Sequence, residues 1–345
     1  MHALILAGGK GTRLRPLTSQ IPKPIVPLMN RPFVHYQIES LVGAGIQDIV
    51  LSLNYQPDKI QSILGDGSEL GARLSFATEP VPLGTAGACR FAARDIHDTI
   101  VVLNGDVFTD LDVTRILKFH RQKRAKATIA LFPVSDPSAY GVVVTDREGN
   151  VSRFVEKPTA EEAASIGSSD INAGIYVLEP EVLRLVAHGE AASFEYDVFP
   201  NLLKENIPLF GYIMSGNYWR DIGSPQSYLA AHLDILSGII KVAGRQSDMN
   251  GKATFASNAL ISEDCLVGTG ARIINSVIGP GTQIEDSAVV ENSVVWSDSV
   301  ISASAEVRRS VIGHGCHIGR SVSLRNGVLG ERTYLADYSK FHVAS

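Results

Sequence analysis

The sequence predicts an α/β domain with a mostly parallel sheet, followed by a C-terminal parallel β-helix. Three observations carry that prediction. Strand-like apolar runs alternate with helix-like stretches from residue 2 to about 133. A glycine-rich stretch follows the first of those runs, and beyond residue 257 the chain repeats with a fixed period of 17. Alternating strand and helix signals imply parallel pairing, with ligands bound at the carboxyl ends of the strands.

Size and composition are compatible with this. The chain has 345 residues, 45% hydrophobic and 19% charged, which allows two domains and a large core without a disorder signature. A net charge of −5 gives no basic footprint for nucleic acid. Met1-His2 and the short apolar run after it are too brief, and lack the basic flank, for a signal peptide, and no run approaches a membrane span. Cys89, Cys265 and Cys316 form neither a disulfide framework nor a C-x-x-C metal pattern. A reduced, cytoplasmic setting is expected.

The first element is Leu4-Ile5-Leu6-Ala7-Gly8-Gly9-Lys10-Gly11-Thr12-Arg13-Leu14-Arg15-Pro16. An apolar run bounded by glycine reads as a buried strand. Glycines after it let the backbone turn tightly and approach a ligand. Free N–H groups with Lys10, Arg13 and Arg15 beside them suit a polyphosphate. A Walker loop is excluded, because no lysine followed by serine or threonine closes the stretch. A dinucleotide loop is excluded too: its third glycine falls on Leu14, and the second strand ends Leu51-Ser52-Leu53-Asn54 without an acidic residue.

Further strands are expected at 48–53, 73–77, 99–103, 126–132, 141–145, 172–178 and 208–213, and helices near 32–44, 56–64, 85–94, 112–123 and 225–237. In the first helix Asn30 near the start, Pro32 in the first turn and Gly43 and Gly45 at the end follow the capping rules. Residues 238–257 turn polar and small, so the expected domains are 1–237, a linker at 238–257, and 258–345.

Within the last domain Asn258-Ala-Leu-Ile, Asn275-Ser-Val-Ile, Asn292-Ser-Val-Val, Arg309-Ser-Val-Ile and Asn326-Gly-Val-Leu recur at equal intervals. Three apolar columns accompany them: Ile261, Ile278, Val295, Ile312, Leu329; Val267, Ile284, Ile301, Ile318, Leu335; and Ile273, Val290, Val307, Leu324. Spacings of 6, 6 and 5 within one repeat describe a three-sided coil with one side shortened, and exclude a helical period. Cys265 and Cys316 sit three repeats apart on one column, hence about 14 Å apart at ~4.8 Å per coil, beyond the ~7 Å reach of a disulfide.

The pattern G-G-x-G-T-R-L-x-P-L-T, followed by Pro22-Lys23-Pro24, resembles the signature of the sugar-nucleotide pyrophosphorylases, which join a sugar 1-phosphate to an NTP. The implied fold is a mostly parallel Rossmann-like nucleotidyltransferase sheet followed by a left-handed parallel β-helix. The implied reaction sets an anionic sugar phosphate against an anionic α-phosphate, so it needs a divalent metal, expected to be Mg²⁺, and cations rather than a protein nucleophile. By that resemblance Asp106 in Asn104-Gly105-Asp106, at a strand's carboxyl end, and Asp221 in Trp219-Arg220-Asp221-Ile222-Gly223 hold the metal. Arg13, and Lys23 on its proline-stiffened segment, stabilise the α-phosphate and departing pyrophosphate.

Leu6, Ala7, Gly8, Gly9, Gly11, Thr12, Asn104 and Gly105 are the corresponding nucleotide-binding positions. Glu79-Pro-Val-Pro-Leu83-Gly84-Thr85-Ala86-Gly87 adds Glu79, Gly84 and Thr85. A carboxylate such as Glu79 can accept from guanine N1–H and N2–H, and the L-G-T-A-G form is similar to the GDP-mannose branch of the family. A helix-capping turn without base contact is the alternative. Tyr140-Gly141, Phe154-Val-Glu156-Lys157-Pro158, Ile171-Asn172-Ala-Gly174-Ile-Tyr and Phe194-Glu195-Tyr-Asp197 resemble sugar-side motifs. They imply that Gly141, Glu156 and Asn172 contact hydroxyls and Lys157 the sugar phosphate.

The expected substrates are therefore an NTP, GTP by preference, and a sugar 1-phosphate, mannose 1-phosphate by preference. Two alternatives stay open: dTTP or UTP with another hexose or heptose phosphate, and a non-catalytic sugar-nucleotide-sensing subunit. The β-helix is expected to mediate homo-oligomerisation. His314 and His317 fall beside glycines at its corners, with no inserted loop of the kind an acyltransferase uses.

Overall fold

A computed structural model describes residues 1–242 and 256–343. The chain divides into two compact units, Met1–Gly9 with Val34–Trp219, and Lys10–Phe33 with Arg220–Ser345. The predicted linker 238–257 falls largely on residues 243–255, outside the described residues.

A nine-stranded sheet, counted among the described residues, centres the first unit. Strands β1 (His2–Leu6), β2 (Asp48–Leu53), β3 (Arg73–Thr78) and β4 (Ile100–Asn104) lie parallel in the order β3-β2-β1-β4. Ala3, Leu4 and Ile5 of β1 and Ile100, Val101 and Val102 of β4 are fully buried. Such continuous apolar runs belong to strands covered on both faces. Helices α1 (Phe33–Gly43), α2 (Pro57–Leu64), α3 (Gly84–Ala92) and α4 (Val113–Lys123) occupy the connections. Pro57 opens α2 at its first turn, and Asp112 caps α4 by accepting from Thr114 N.

The sheet continues through β5 (Ala127–Pro133), β6 (Gly141–Thr145), β7 (Val151–Glu156), β8 (Asp170–Leu178) and β9 (Leu209–Ile213). Here β8 runs antiparallel to β4, β5 and β6. The predicted strands and long helices all form, with ends displaced by one or two residues. Strand β7 was not anticipated, because adjacent Ser152 and Arg153, both exposed, break the alternation that marks a half-buried strand.

In the second unit the helix-start expectation is corrected. Pro32 belongs to a hairpin, Pro27–Leu28 paired with Arg31–Pro32, whose turn residues Met29 (φ 49) and Asn30 (φ 61) are both left-handed. Two left-handed turn residues match the twist of a two-residue hairpin, so α1 starts only at Phe33. Helix α5 (Pro225–Leu236) also belongs to this unit.

The seventeen-residue repeat coils into three parallel sheets of six, five and five strands among the described residues. All three predicted columns pair in register, as in Ile261↔Ile278↔Val295↔Ile312↔Leu329. The recurring Asn-Ser-Val-Ile motif has a position-by-position explanation. Asn258, Asn275, Asn292, Arg309 and Asn326 turn the corner with φ between 46 and 53. Asparagine tolerates that region, and its amides link coils: Asn258 Nδ2 donates to Asn275 Oδ1 at 2.9 Å. The serine hydroxyl accepts from the next coil's backbone, Ser293 N to Ser276 Oγ and Ser310 N to Ser293 Oγ, each at 3.1 Å. Isoleucine points inward.

The motif's valine points outward, yet Val277, Val294 and Val311 are buried. Part of this outer apolar face meets α5: Leu229 and Leu233 line one cavity with Val311 and Val328. Trp296 Nε1 donates to Tyr228 Oη at 2.9 Å beside it. All three cysteines are free.

Candidate active site

In the first unit the carboxyl ends of β1, β2 and β4 are level, since Leu6 pairs with Ser52 on one side and Asn104 on the other. Ala7 N continues the ladder to Ser52 O, and Gly105 N to Leu6 O, both at 2.9 Å. A Cβ on Gly105 would stand 2.5 Å from Leu6 O, so only glycine permits this approach. Asp106 follows directly, at the turn into the short strand Val107–Thr109. Gln37 Nε2 braces the turn by donating to Asn104 O and Val107 O.

Glu79 is only 7% exposed beside Gly8. Its Oε1 accepts from Ser52 Oγ at 2.9 Å and its Oε2 from Leu83 N at 3.0 Å. The carboxylate therefore closes its own turn. Gly84 and Gly87 are likewise tied up by packing: a Cβ would meet Ala192 O at 2.6 Å and Glu190 O at 2.4 Å. The amides of Ala86 and Gly87 donate to Ala192 O.

Thr85 belongs to a network that sequence alone did not reveal. Its hydroxyl donates to Glu195 Oε2 at 2.9 Å and accepts from Phe194 N. Tyr176 Oη donates to Glu195 Oε1 at 3.3 Å and accepts from Asn172 Nδ2 at 3.0 Å. Asn172 Oδ1 in turn accepts from Gly174 N. Burial, then the Glu195 charge, pushes the Tyr176 hydroxyl well above its ordinary range, so it stays protonated and donating. Tyr176 and Glu195 lie inside quoted motifs, but nothing in their spacing says that they meet.

At the β6–β7 end, Gly141 pairs with Glu156, and a Cβ on Gly141 would lie 2.6 Å from Glu156 Oε2. Lys157, 62% exposed, reaches Glu156 Oε1 at 3.1 Å; Glu156 is 11% exposed. This is the neighbouring ion pair, with the carboxylate held inward and the ammonium in solvent.

The second unit carries a separate charged cluster. Gly11 (φ 61) leads into the 3₁₀ turn Thr12–Leu14, and Thr18 Oγ1 donates to Gly11 O at 2.7 Å. Asp221, 17% exposed, has Arg13 Nη1 at 3.5 Å from Oδ2 and Lys23 Nζ at 3.9 Å from Oδ1. Lys23 is 11% exposed and Arg13 70%. A Cβ on Gly223 would strike Asp221 Oδ2 at 2.7 Å and Arg13 Cζ at 2.9 Å, so the glycine of W-x-D-x-G makes room for the pair. The two cations that the resemblance assigns to the α-phosphate and pyrophosphate, Arg13 and Lys23, thus flank the carboxylate that it assigns to the metal.

Asp106 and Asp221 offer hard carboxylate oxygens, and Mg²⁺ takes one or two of these together with phosphate oxygens. Each carboxylate, taken by itself, is of the donor type that ion uses.

Residues 2–238 match the family described as nucleotidyl transferase. The chain belongs to that family. Residues 243–338 of this nucleotidyltransferase match the EIF2B subunit epsilon LbH domain, which makes the coil a left-handed β-helix. The chain is 37% identical over 296 residues to mannose-1-phosphate guanylyltransferase of Mycobacterium tuberculosis, covering 84% of this chain and 79% of that one. Mannose-1-phosphate guanyltransferase of Debaryomyces hansenii is 38% identical over 312 residues, 84% of each chain. A probable mannose-1-phosphate guanylyltransferase 1 of Oryza sativa is 39% identical, covering 78% and 75%. The crystal structure of HddC from Yersinia pseudotuberculosis complexed with GMP-PN is 32% identical, with TM-score 0.57, covering 67% of this chain and 97% of that one. The chain is therefore a sugar-1-phosphate nucleotidyltransferase, of a family that generally uses a divalent metal. No helix among the described residues is long and apolar enough to cross a membrane.

Proposed function

We propose that the protein makes GDP-mannose and pyrophosphate from GTP and mannose 1-phosphate. The observation that supports this choice is its 37–39% identity to mannose-1-phosphate guanylyltransferases over 78–84% of the chain. In this proposal the sugar phosphate oxygen attacks the α-phosphorus in line and pyrophosphate leaves. Mg²⁺ bound by Asp106 and Asp221 would neutralise phosphate charge. Arg13 and Lys23, already drawn to Asp221, bind the triphosphate and offset charge on the departing pyrophosphate. Leu6 to Gly9, Gly11, Thr12, Asn104 and Gly105 present backbone to the nucleotide. Glu79, Gly84 and Thr85 shape the base pocket through the hydrogen bonds and close packing described above. Gly141, Glu156 and Asn172 receive the sugar hydroxyls, and Lys157 the sugar phosphate.

The test is a matrix of GTP, dTTP, UTP and ATP against mannose, glucose and heptose 1-phosphates, read as pyrophosphate release. GTP with mannose 1-phosphate should give the highest kcat/KM; release from dTTP or UTP but not GTP overturns the proposed base. Self-association through the β-helix and a cytoplasmic setting belong to the same proposal. Light scattering of the full chain tests the first.

A further inference from the structure

A second charged feature of the α/β unit has no part in the proposed chemistry. Arg90 lies in the last turn of α3, and Arg94 follows four residues on, just past the helix end. With His97 and Arg184, the residue ending the short helix Pro180–Leu183, they line a cavity of about 90 Å³ floored by Pro180 and Leu183. Among the described residues no carboxylate lines it. Of the nearby acids, Asp95 pairs with Arg94 Nε at 3.1 Å on the solvent side, and Glu181 pairs with Lys126 away from the cavity lining.

One cation in a last turn suits the negative end of a helix. Three guanidiniums and an imidazole around one small cavity go beyond that, since like charges gathered at one place repel. Arg90 Nε is moreover buried and donates no hydrogen bond among the described residues. A buried charged donor without an acceptor is costly, and points to a ligand or ion that supplies one. The volume equals a few waters at ~30 Å³ each, well short of the ~300 Å³ and more of nucleotide-sized pockets.

We propose that Arg90, Arg94, His97 and Arg184 form a site for one small tetrahedral oxyanion, a phosphate-type group, separate from the nucleotide-binding strand ends. Arginine forks match such oxygens two at a time. The phosphoryl group can come as free orthophosphate or on the end of a larger molecule, and the test separates the two.

Orthophosphate and glycerol 1-phosphate are titrated by calorimetry into the full chain, with chloride at matched ionic strength as control. The wild type should bind orthophosphate saturably, and Arg184→Gln and Arg90→Gln should each weaken binding about tenfold, the scale of one charge-assisted hydrogen bond. Both should keep the phosphate-free kcat and KM of pyrophosphate release. Glycerol 1-phosphate binding as tightly as orthophosphate assigns the site to a phosphoryl terminus; binding of orthophosphate alone assigns it to the free anion. Arg184 is exposed, so Arg184→Gln decides the matter if Arg90→Gln fails to fold. Unchanged affinity in Arg184→Gln, or no saturable binding of either probe by the wild type, overturns the proposal.

Discussion

The two halves of this chain bring residues together by opposite rules. In the β-helix a side chain meets the residue seventeen positions away, again and again: Asn258 with Asn275, Asn275 with Asn292. In the α/β unit Thr85 meets Glu195 across 110 residues, and the same carboxylate meets Tyr176, 19 residues off. The first rule builds a scaffold whose stability is close to a sum over equal coils. The second converges single, unrepeated side chains at strand ends, where chemistry can be placed. A repeated contact tolerates the loss of one copy; a convergent one does not.

That contrast can be broken at either end. The largest effect is expected at Asp221, which Arg13 and Lys23 flank. Asp221→Asn should lower kcat about 10²–10³-fold while circular dichroism and melting stay near wild type; undiminished pyrophosphate release removes Asp221 from the site. Next comes a coil interior. Ile301, fully buried in its column, truncated to alanine should cost about 3 kcal/mol in urea unfolding. A loss below about 1 kcal/mol would mean that the column does not carry the coil.

Tyr176→Phe tests convergence more finely. It removes the acceptor of Asn172 Nδ2 and the donor to Glu195, and should raise KM for the sugar phosphate about tenfold, roughly 1.4 kcal/mol. With kcat held within a few-fold, the tyrosine is a positioning residue; a fall in kcat alone contradicts that role.

A milder effect concerns His232, buried on α5 and driven down to about 3 by desolvation. Its folded pKa lies below the unfolded 6.5, so between those values the unfolded chain binds more protons. Stability should therefore fall as pH drops below 6.5, by up to about 1.4 kcal/mol per unit. His232→Gln should flatten the melting profile between pH 6.5 and 5. The smallest change is expected from the ladder: Asn275→Ala loses two amide contacts at a left-handed corner and should cost about 1 kcal/mol in thermal unfolding.

Much of the fold was legible because its causes are local or periodic. The β1 run ends in glycines whatever lies elsewhere, and the columns through Ile284 and Val290 declare a coil by spacing alone. The hairpin at Met29-Asn30 was not legible, since Pro32 is equally at home in a helix's first turn and at a strand end. The burial of Val277, Val294 and Val311 was missed for a related reason: periodicity reports a strand's inner face, not what covers its outer one.

At the site, sequence resemblance selected Arg13, Lys23 and Asp221, and folding gathers all three. Glu79 was selected for its charge, but Ser52 Oγ and Leu83 N decide what that charge does. At Gly84 the close approach of Ala192 O, 2.6 Å from where a Cβ would stand, is a tertiary contact that the motif does not display.

The amino-acid order by itself therefore determined the class of fold, the coil period and the kinds of charge available near phosphate. Each follows from short-range sterics and hydrophobic spacing, which a linear string displays. Tertiary structure alone decided which carboxylates are already satisfied, that Tyr176 joins Asn172 to Glu195, and that three arginines surround one cavity. Hydrogen bonds and Coulomb forces act over a few ångströms of space, and sequence separation does not measure that distance.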